Sequence, residues 1–496
     1  MLKTIADALG RDPDYSARQH RLSLLLKVLD GSLYDHLLYP FAQERMEGSG
    51  EYIPILKRRP SVRYRLAATV VEDSVSLLFG DGRFPAFDCA DPQTRRGLER
   101  LAKALKLNQV MLEAATLGSI GSVAILVRVL NNRLFAEVKA TPYLTPVWKR
   151  DAPDVLEKVT ERFKVKGEAL GSLGYDIAPE AAAVDFWFQR EWDSDAETWH
   201  LPVRWDDPRA ANPPVDESRT VRHGLGFLPL IWIKNLPGGD AIDGAATLPR
   251  EAIETGIEID YQLSQAGRGL RYASDPTLLI KEPAGADDAN LIRSASQALI
   301  VSAEGDAKLL EISGSASQAV VDYCRTLRDL ALEGAHGSRV NPDKLAAAQS
   351  GRAMELLNQP LIWLADRLRA AYGEGGLLPL TRLLIALSTT QALVLDDGPL
   401  PPLDPNARLG LVWPKWFAPT YSDSQVQAET FVTLTKAGLM SRASAVRLLA
   451  PTYDIDDVDA ELARLMAEAN PQAETPAPHS PSLQTPSPKN FGDSDD

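Results

Sequence analysis

The sequence predicts an α+β chain of more than one domain, on three observations. Its 496 residues exceed what one ordinary hydrophobic core takes. The first half mixes helical periodicity with strand-like runs joined by short turns, the pattern of a mixed α/β domain with a meander. Between Thr247 and Gly373 the order becomes helix, small β-rich insert, helix, polar break, long helix.

In chain order, Ile5 to Leu9 and Ser23 to Leu38 read as short surface helices, and Tyr52-Ile53-Pro54 as a turn. Val62 to Phe79 is strongly apolar at helical spacing, with Leu66, Val70, Val75, Leu78 and Phe79, and Gly80-Asp81-Gly82 ends it. Thr94 to Gly118 reads as one more helix. Gly118-Ser119-Ile120-Gly121-Ser122 then turns into a strand from Val123 to Val129, which Asn131-Asn132 folds back onto Leu134 to Lys139. Strand signals return at Val184 to Trp192 and Thr198 to Trp205, joined by Asp193 to Glu197.

The central stretch opens with Thr247, a good N-cap residue, and Pro249 in the first turn. Up to about Tyr272, Ile259, Leu263, Ala266 and Leu270 share one face, and Ile253, Ile257 and Tyr261 make a second. Two apolar faces require neighbours on two sides. Asp275-Pro276 ends that helix. Strand-like runs follow at Thr277 to Ile280, near Ala298 to Ser302 and at Lys308 to Ile312. A second helix runs from after Ser313-Gly314-Ser315 to Gly334, and a third from about Leu345 to Tyr372, where Gly373-Glu374-Gly375-Gly376 breaks the chain. Leu377 to Ser388 and Gln391 to Leu395 are apolar, and Leu411 to Pro414 reads as a strand returning to the first domain. Ser422 to Ala437, Ser441 to Leu449 and Val458 to Glu468 are short helices. The composition of residues 470–496, rich in Pro, Ser and Asp, predicts disorder. No internal repeat is visible.

A formal net charge of −14 argues against a protein that wraps DNA, which would be basic. Two cysteines, Cys89 and Cys324, fit a reducing compartment and no disulfide framework. The expectation is a chain with no signal peptide and no membrane span, made in a cytoplasm. The acidic cluster Glu191, Asp193, Asp195, Glu197 and His200 lacks the Gly turn and spacing of a calcium loop, so it reads as a solvated hairpin connection. Gly118 to Ser122 has the reverse context of a phosphate loop and no Lys, so it reads as a structural turn. The six histidines are scattered, and no nucleophile elbow or activated cysteine stands out. The reading is therefore no catalytic residue, no cofactor and no metal.

The order of the central stretch resembles the portal proteins of tailed bacteriophages and their prophages. Gly226-Phe227-Leu228-Pro229 followed by Asn235 resembles the family's G-x-x-P strand and Asn, just before a stem helix. Ser350-Gly351-Arg352-Ala353 resembles its S-G-x-A at the long helix, and the helix ending at Phe79-Gly80 has its counterpart there too. The likeness covers roughly Tyr52 to Glu468. It implies a wing whose N-terminal portion is residues 1–246, stem helix 1 (247–272), a clip (273–313), stem helix 2 (314–335) and a tunnel loop (336–347). A long kinked helix with a wing return (348–420) and a helical crown (421–469) would follow, and then the disordered tail (470–496).

The same resemblance implies a homo-oligomeric ring, twelve-fold in the family, at one capsid vertex of the virion, assembled in the host cytoplasm. Double-stranded DNA would pass through it during packaging and ejection. It would dock the terminase large subunit, a head–tail adaptor, and the major capsid and scaffolding proteins, without membrane contact. On that reading Arg339, Lys344, Arg268 and Arg271 are the DNA-channel candidates, and Lys281, Arg293 and Lys308 belong to the clip. Ile257, Leu263, Leu270 and Leu327 are the candidates for packing between subunits. Repetition around a ring would turn each lone cation into a ring of charge. The competing class is a cytosolic two-domain enzyme, against which stands the missing catalytic constellation. A head–tail connector is a third reading, and such chains are typically much shorter.

Overall fold

The structure is a computed structural model. It describes residues 1–80, 82–274, 277–281, 306–310, 315–335, 355–356, 358–416, 421–450, 455 and 458–469. The chain is a mixed α/β protein that divides into two compact units, residues 1–347 with 352–417, and residues 348–351 with 418–496.

The first unit begins with helices α1 (Leu2–Leu9) and α2 (Ala17–Asp30). A capping box of Ser16 and Gln19 starts α2. These helices are not mere surface decoration, although their short length and mixed polarity suggest it. Ile5 and Leu22 are fully buried, because the N-terminal segment folds back onto later elements. Helix α3 (Leu66–Phe79) follows, then strand β1 (Ala86–Cys89), α4 (Pro92–Leu105) and α5 (Leu107–Gly118). The expected single helix over 94–118 is two. Lys106 takes a left-handed conformation at φ 51° and redirects the chain, although nothing in its residue type announces that.

Strands β2 (Ser122–Leu130) and β3 (Arg133–Ala140) form the expected hairpin. Asn131 and Asn132 both have positive φ, 51° and 63°, which is what a two-residue hairpin turn requires and Asn tolerates. Next come β4 (Leu144–Trp148), β5 (Leu156–Lys166), the short helix α6 (Gly167–Ser172), β6 (Asp185–Trp192), β7 (Ala196–Trp199), β8 (Val203–Arg204), β9 (Val221–Arg222) and β10 (Leu230–Lys234). They make two sheets. One is three-stranded, in the order β10-β2-β3, and antiparallel throughout. The other runs β9-β7-β6-β5-β4, with β8 also paired to β6.

Central strand β2 is covered on both faces. Val123, Ile125 and Val127 join the main core with Leu78, Phe79, Met111, Ile233 and Leu384. Ala124 and Leu126 face a second cluster that holds Trp192 and Trp232. The two sheets are also joined by a closed set of ion pairs. Arg128 on β2 reaches Glu137 and Glu197, at 3.1 and 2.7 Å. Arg190 on β6 reaches Glu161 at 2.6 Å, and Lys139 on β3 reaches Glu137 at 2.6 Å.

This network corrects the reading of the acidic cluster. Only its outer portion is solvated: Asp193 caps the backbone N–H groups of Asp195 and Ala196. Glu197 and His200 are buried, and the His200 imidazole bonds the Pro213 carbonyl at 2.9 Å.

Beyond the paired elements described below, α9 (Gln359–Arg369) continues through a π-helical segment, residues 370–377, into α10 (Leu378–Thr390). The Gly373-Glu374-Gly375-Gly376 run therefore does not break the chain as expected. These glycines admit neighbours. A Cβ on Gly376 would meet Ile233 Cδ1 at 2.7 Å, and one on Gly373 would meet the Trp413 ring at 2.8 Å. The last strand of this unit, Leu409–Val412, returns as expected and pairs antiparallel with β1.

The second unit contributes helices α11 (Tyr421–Lys436), α12 (Arg442–Leu449) and α13 (Val458–Ala469), where three helices are expected. Residues 470–496 lie outside the described residues.

Candidate functional site: the paired helices and their insert

Helix α7 (Arg250–Ser274) and helix α8 (Ser315–Gly334) pack on each other. Between them, Thr277–Lys281 and Asp306–Leu310 form an antiparallel pair, Thr277 opposite Leu310 and Lys281 opposite Asp306. The expected strand near Ala298 to Ser302 lies outside the described residues, as do Arg293, Arg339, Lys344, the polar break and Ser350-Gly351-Arg352-Ala353. For Lys281 and Lys308 the strands are described, Lys308 opposite Leu279.

Helix α7 starts at Arg250, not at an N-cap on Thr247. Thr247 is instead buried, and its N–H donates to the Ser119 carbonyl at 2.8 Å. Its hydroxyl accepts from Asn235 Nδ2 at 3.0 Å. The Asn235 amide also donates to the Ala245 carbonyl at 2.8 Å and accepts from the Tyr372 hydroxyl at 3.0 Å. Asn235 N–H and Gly244 N–H both reach the Gly121 carbonyl, at 2.9 Å each. One buried amide thus ties the end of β10, the start of α7 and the π-helical segment to the 118–122 turn. Gly118 is needed there, since a Cβ would sit 2.1 Å from the Tyr372 oxygen. The turn is structural, as its sequence context predicts.

Both expected apolar faces of α7 exist, and both are covered by this same chain except at Leu270. Ile253, Ile257 and Tyr261 pack on Leu2, Ile5, Leu33, Tyr34 and Phe41. Ala252 and Ile259, with Leu263 beside them, pack on Leu66 and Val70 of α3 and on Cys324, Ala331 and Leu332 of α8, where Leu327 also lies. Of the four residues expected to pack between subunits, Ile257 is 3% exposed inside its own chain, Leu263 and Leu327 are partly buried there, and Leu270 is 47% exposed. Helical spacing identifies apolar faces but does not say which chain covers them. Among the described residues, the exposed large apolar side chains of the pair are Leu270, Tyr323 and Leu330. Tyr323 and Leu330, seven apart, share a face of α8.

The charges are arranged against strong anion binding. Arg268 is bound to Glu44, whose carboxyl it holds below the usual range. Arg271 is exposed. Arg325 and Arg328 on α8 pair with Asp322 and Asp329. Over the two helices, five arginines stand against seven carboxylates. One of these, Asp260, is buried. It accepts from the Tyr34 hydroxyl at 2.8 Å and from the Tyr64 N–H at 2.7 Å. Burial pushes its carboxyl up to about 6, against the lowering effect of these bonds and of Arg63. The sequence does not announce this network, because a lone Asp on an apolar face looks like any surface carboxylate.

Among the described residues no group of three or more His, Cys, Asp or Glu is placed to hold a metal, and no helix is long and apolar enough to cross a membrane. No family model matches the chain, and no curated protein matches it either.

Proposed function

We propose that this chain is a portal protein of a tailed bacteriophage or prophage, a ring subunit with no chemistry of its own. One observation carries the reading: two long helices leave an α/β body, pair with each other, enclose an antiparallel strand pair and return to a helix that runs on through a π-helical segment. In that reading the paired helices are the stem, the strand pair belongs to the clip that docks the terminase and later the head–tail adaptor, and the body is the wing. DNA passes through the ring. The acidic balance of the helix pair supports this, because a channel that neutralised many phosphates would hold DNA rather than let it slide.

Native mass and electron micrographs of the purified protein test the assembly: rings of many subunits are expected, and a monomer of 54.1 kDa would end the reading. The DNA-facing candidates remain Arg339 and Lys344. Arg339→Ala with Lys344→Ala should leave assembly intact and change the DNA content of packaged particles or their leakage. Unchanged content and retention would move the contact to Arg271, an exposed arginine in the last turn of α7.

A further inference from the structure

Helices α1 and α2 enclose a groove of about 640 Å³ on the first unit. Its walls are Ala6 and Leu9 of α1 and Ala17, Arg21, Leu24 and Lys27 of α2, with Arg11 in the connection between the helices. The α2 residues fall at i, i+4, i+7 and i+10, so they form one continuous stripe of about three turns. The other faces of α2 are used by the fold. Leu22 is fully buried, and Leu25 and Val28 pack on the cluster around Ile253. Leu24 does both, packing on that cluster and lining the groove.

The charges of the groove are unevenly met. Asp12, the one carboxylate among the lining residues, is held by Lys164 at 2.7 Å, and the His20 imidazole is tied to the Asp12 carbonyl at 2.9 Å. Arg21 reaches Asp240 and Asp243 at 3.3 and 3.0 Å, but Asp243 is already held by Arg18 at 2.7 Å. Among the described residues neither Arg11 nor Lys27 has an ion pair, and Lys27 is half-buried. Six residues separate Arg21 from Lys27, a rise of about 9 Å, so the cations line the length of the groove with apolar surface between them. In a chain of net charge −14 this is a local reversal of sign. Two needs are left unmet, a counter-charge and cover for the apolar floor. We propose that the groove docks an acidic amphipathic helix of a partner protein, which lays apolar side chains on Ala6, Leu9 and Leu24 and presents carboxylates to Arg11, Arg21 and Lys27. A small anion would leave the apolar floor bare, and a nucleic-acid duplex has no apolar stripe to lay on it.

Fluorescence anisotropy tests this, with the full-length protein titrated into a labelled synthetic peptide of about 14 residues that carries leucine on one helical face and glutamate beside it. One peptide is expected to bind per chain. Replacing its glutamates by glutamine should weaken binding about tenfold, the sum of three exposed ion pairs, and replacing its leucines by alanine should weaken it at least as much. A peptide with lysine for glutamate is expected not to bind. Arg11→Glu with Lys27→Glu should lose the glutamate peptide, gain the lysine peptide and keep the parent's circular dichroism, because neither side chain holds the fold by an ion pair. Ala17 is exposed. Ala17→Trp therefore obstructs the groove without touching a core, and should abolish binding even if the charge reversal folds poorly. No saturable binding by the folded parent would overturn the proposal, as would equal binding of the glutamate and lysine peptides or binding that survives Ala17→Trp. A short DNA duplex that binds more tightly than the peptide and displaces it would overturn it too, and would assign the groove to nucleic acid.

Discussion

At the residue scale, the buried carboxylate of Asp260 has a definite pH signature. Its folded pKa of about 6 lies above the ordinary value of 3.8. A raised acid binds its proton more tightly in the folded state, so its stabilising share is full below the ordinary value and is lost as pH rises through about 6. Asp260→Asn keeps an acceptor for the Tyr64 N–H and removes the titration. Relative to that variant, the parent is expected to lose stability between about pH 4 and 7, read as a falling difference in denaturant midpoints. A constant difference across that range would show that the carboxyl does not titrate there. Asn235 makes a second residue-scale case. It is 2% exposed and every polar atom of its side chain is engaged. Asn235→Ala would strand the fully buried Tyr372 hydroxyl and the Thr247 oxygen, at a cost of about 3 kcal/mol. Thermal or denaturant unfolding of the variant measures it, and a loss well below about 1 kcal/mol would mean that water replaces the amide.

At the scale of elements, legibility follows the source of the structural cause. The hairpin at Asn131-Asn132, the helix ending at Phe79 and the helix–insert–helix order are local in origin, and the sequence carries them. Strand β5 (Leu156–Lys166) is the longest in the sheets yet hides in the sequence, because Lys158, Glu161, Arg162 and Lys164 dilute its alternation. Glu161 is buried all the same, its charge offset by Arg190 across the strand pair. The glycine run at 373–376 looks like a break for the converse reason. Its cause is tertiary, the close approach of Ile233 and Trp413 to a helix that continues. A double-mutant cycle tests this. Gly376→Ala adds helix propensity, yet should destabilise by about 1–3 kcal/mol through overpacking. Ile233→Val removes the atom nearest the new methyl, and the pair should be less destabilised than the sum of the two single changes. Purely additive effects in that cycle would locate the cost elsewhere.

At the scale of the whole molecule, the question is which apolar surface the chain leaves for others. The faces of α7 are closed by α1, α3, α8 and the segment around Phe41, so a charge at Ile257 attacks the fold itself. Ile257→Asp should cost about 3–5 kcal/mol, the range for a buried uncompensated charge, and lower the yield of folded chain before assembly is reached. Tyr323 and Leu330 are different. They are 49% and 59% exposed, so Tyr323→Asp with Leu330→Asp changes little within one chain. If the proposed ring closes through this face, the same two positions recur at every subunit contact, and a carboxylate trapped in each contact has no partner to offset its lost hydration. The double variant is therefore expected to keep the parent's circular dichroism and unfolding midpoint while its native mass falls from the ring to the single chain. Rings that persist with normal mass would place the subunit contact on another face of the helix pair. A loss of fold together with mass would mean that these two side chains support the chain's own fold rather than a contact between chains.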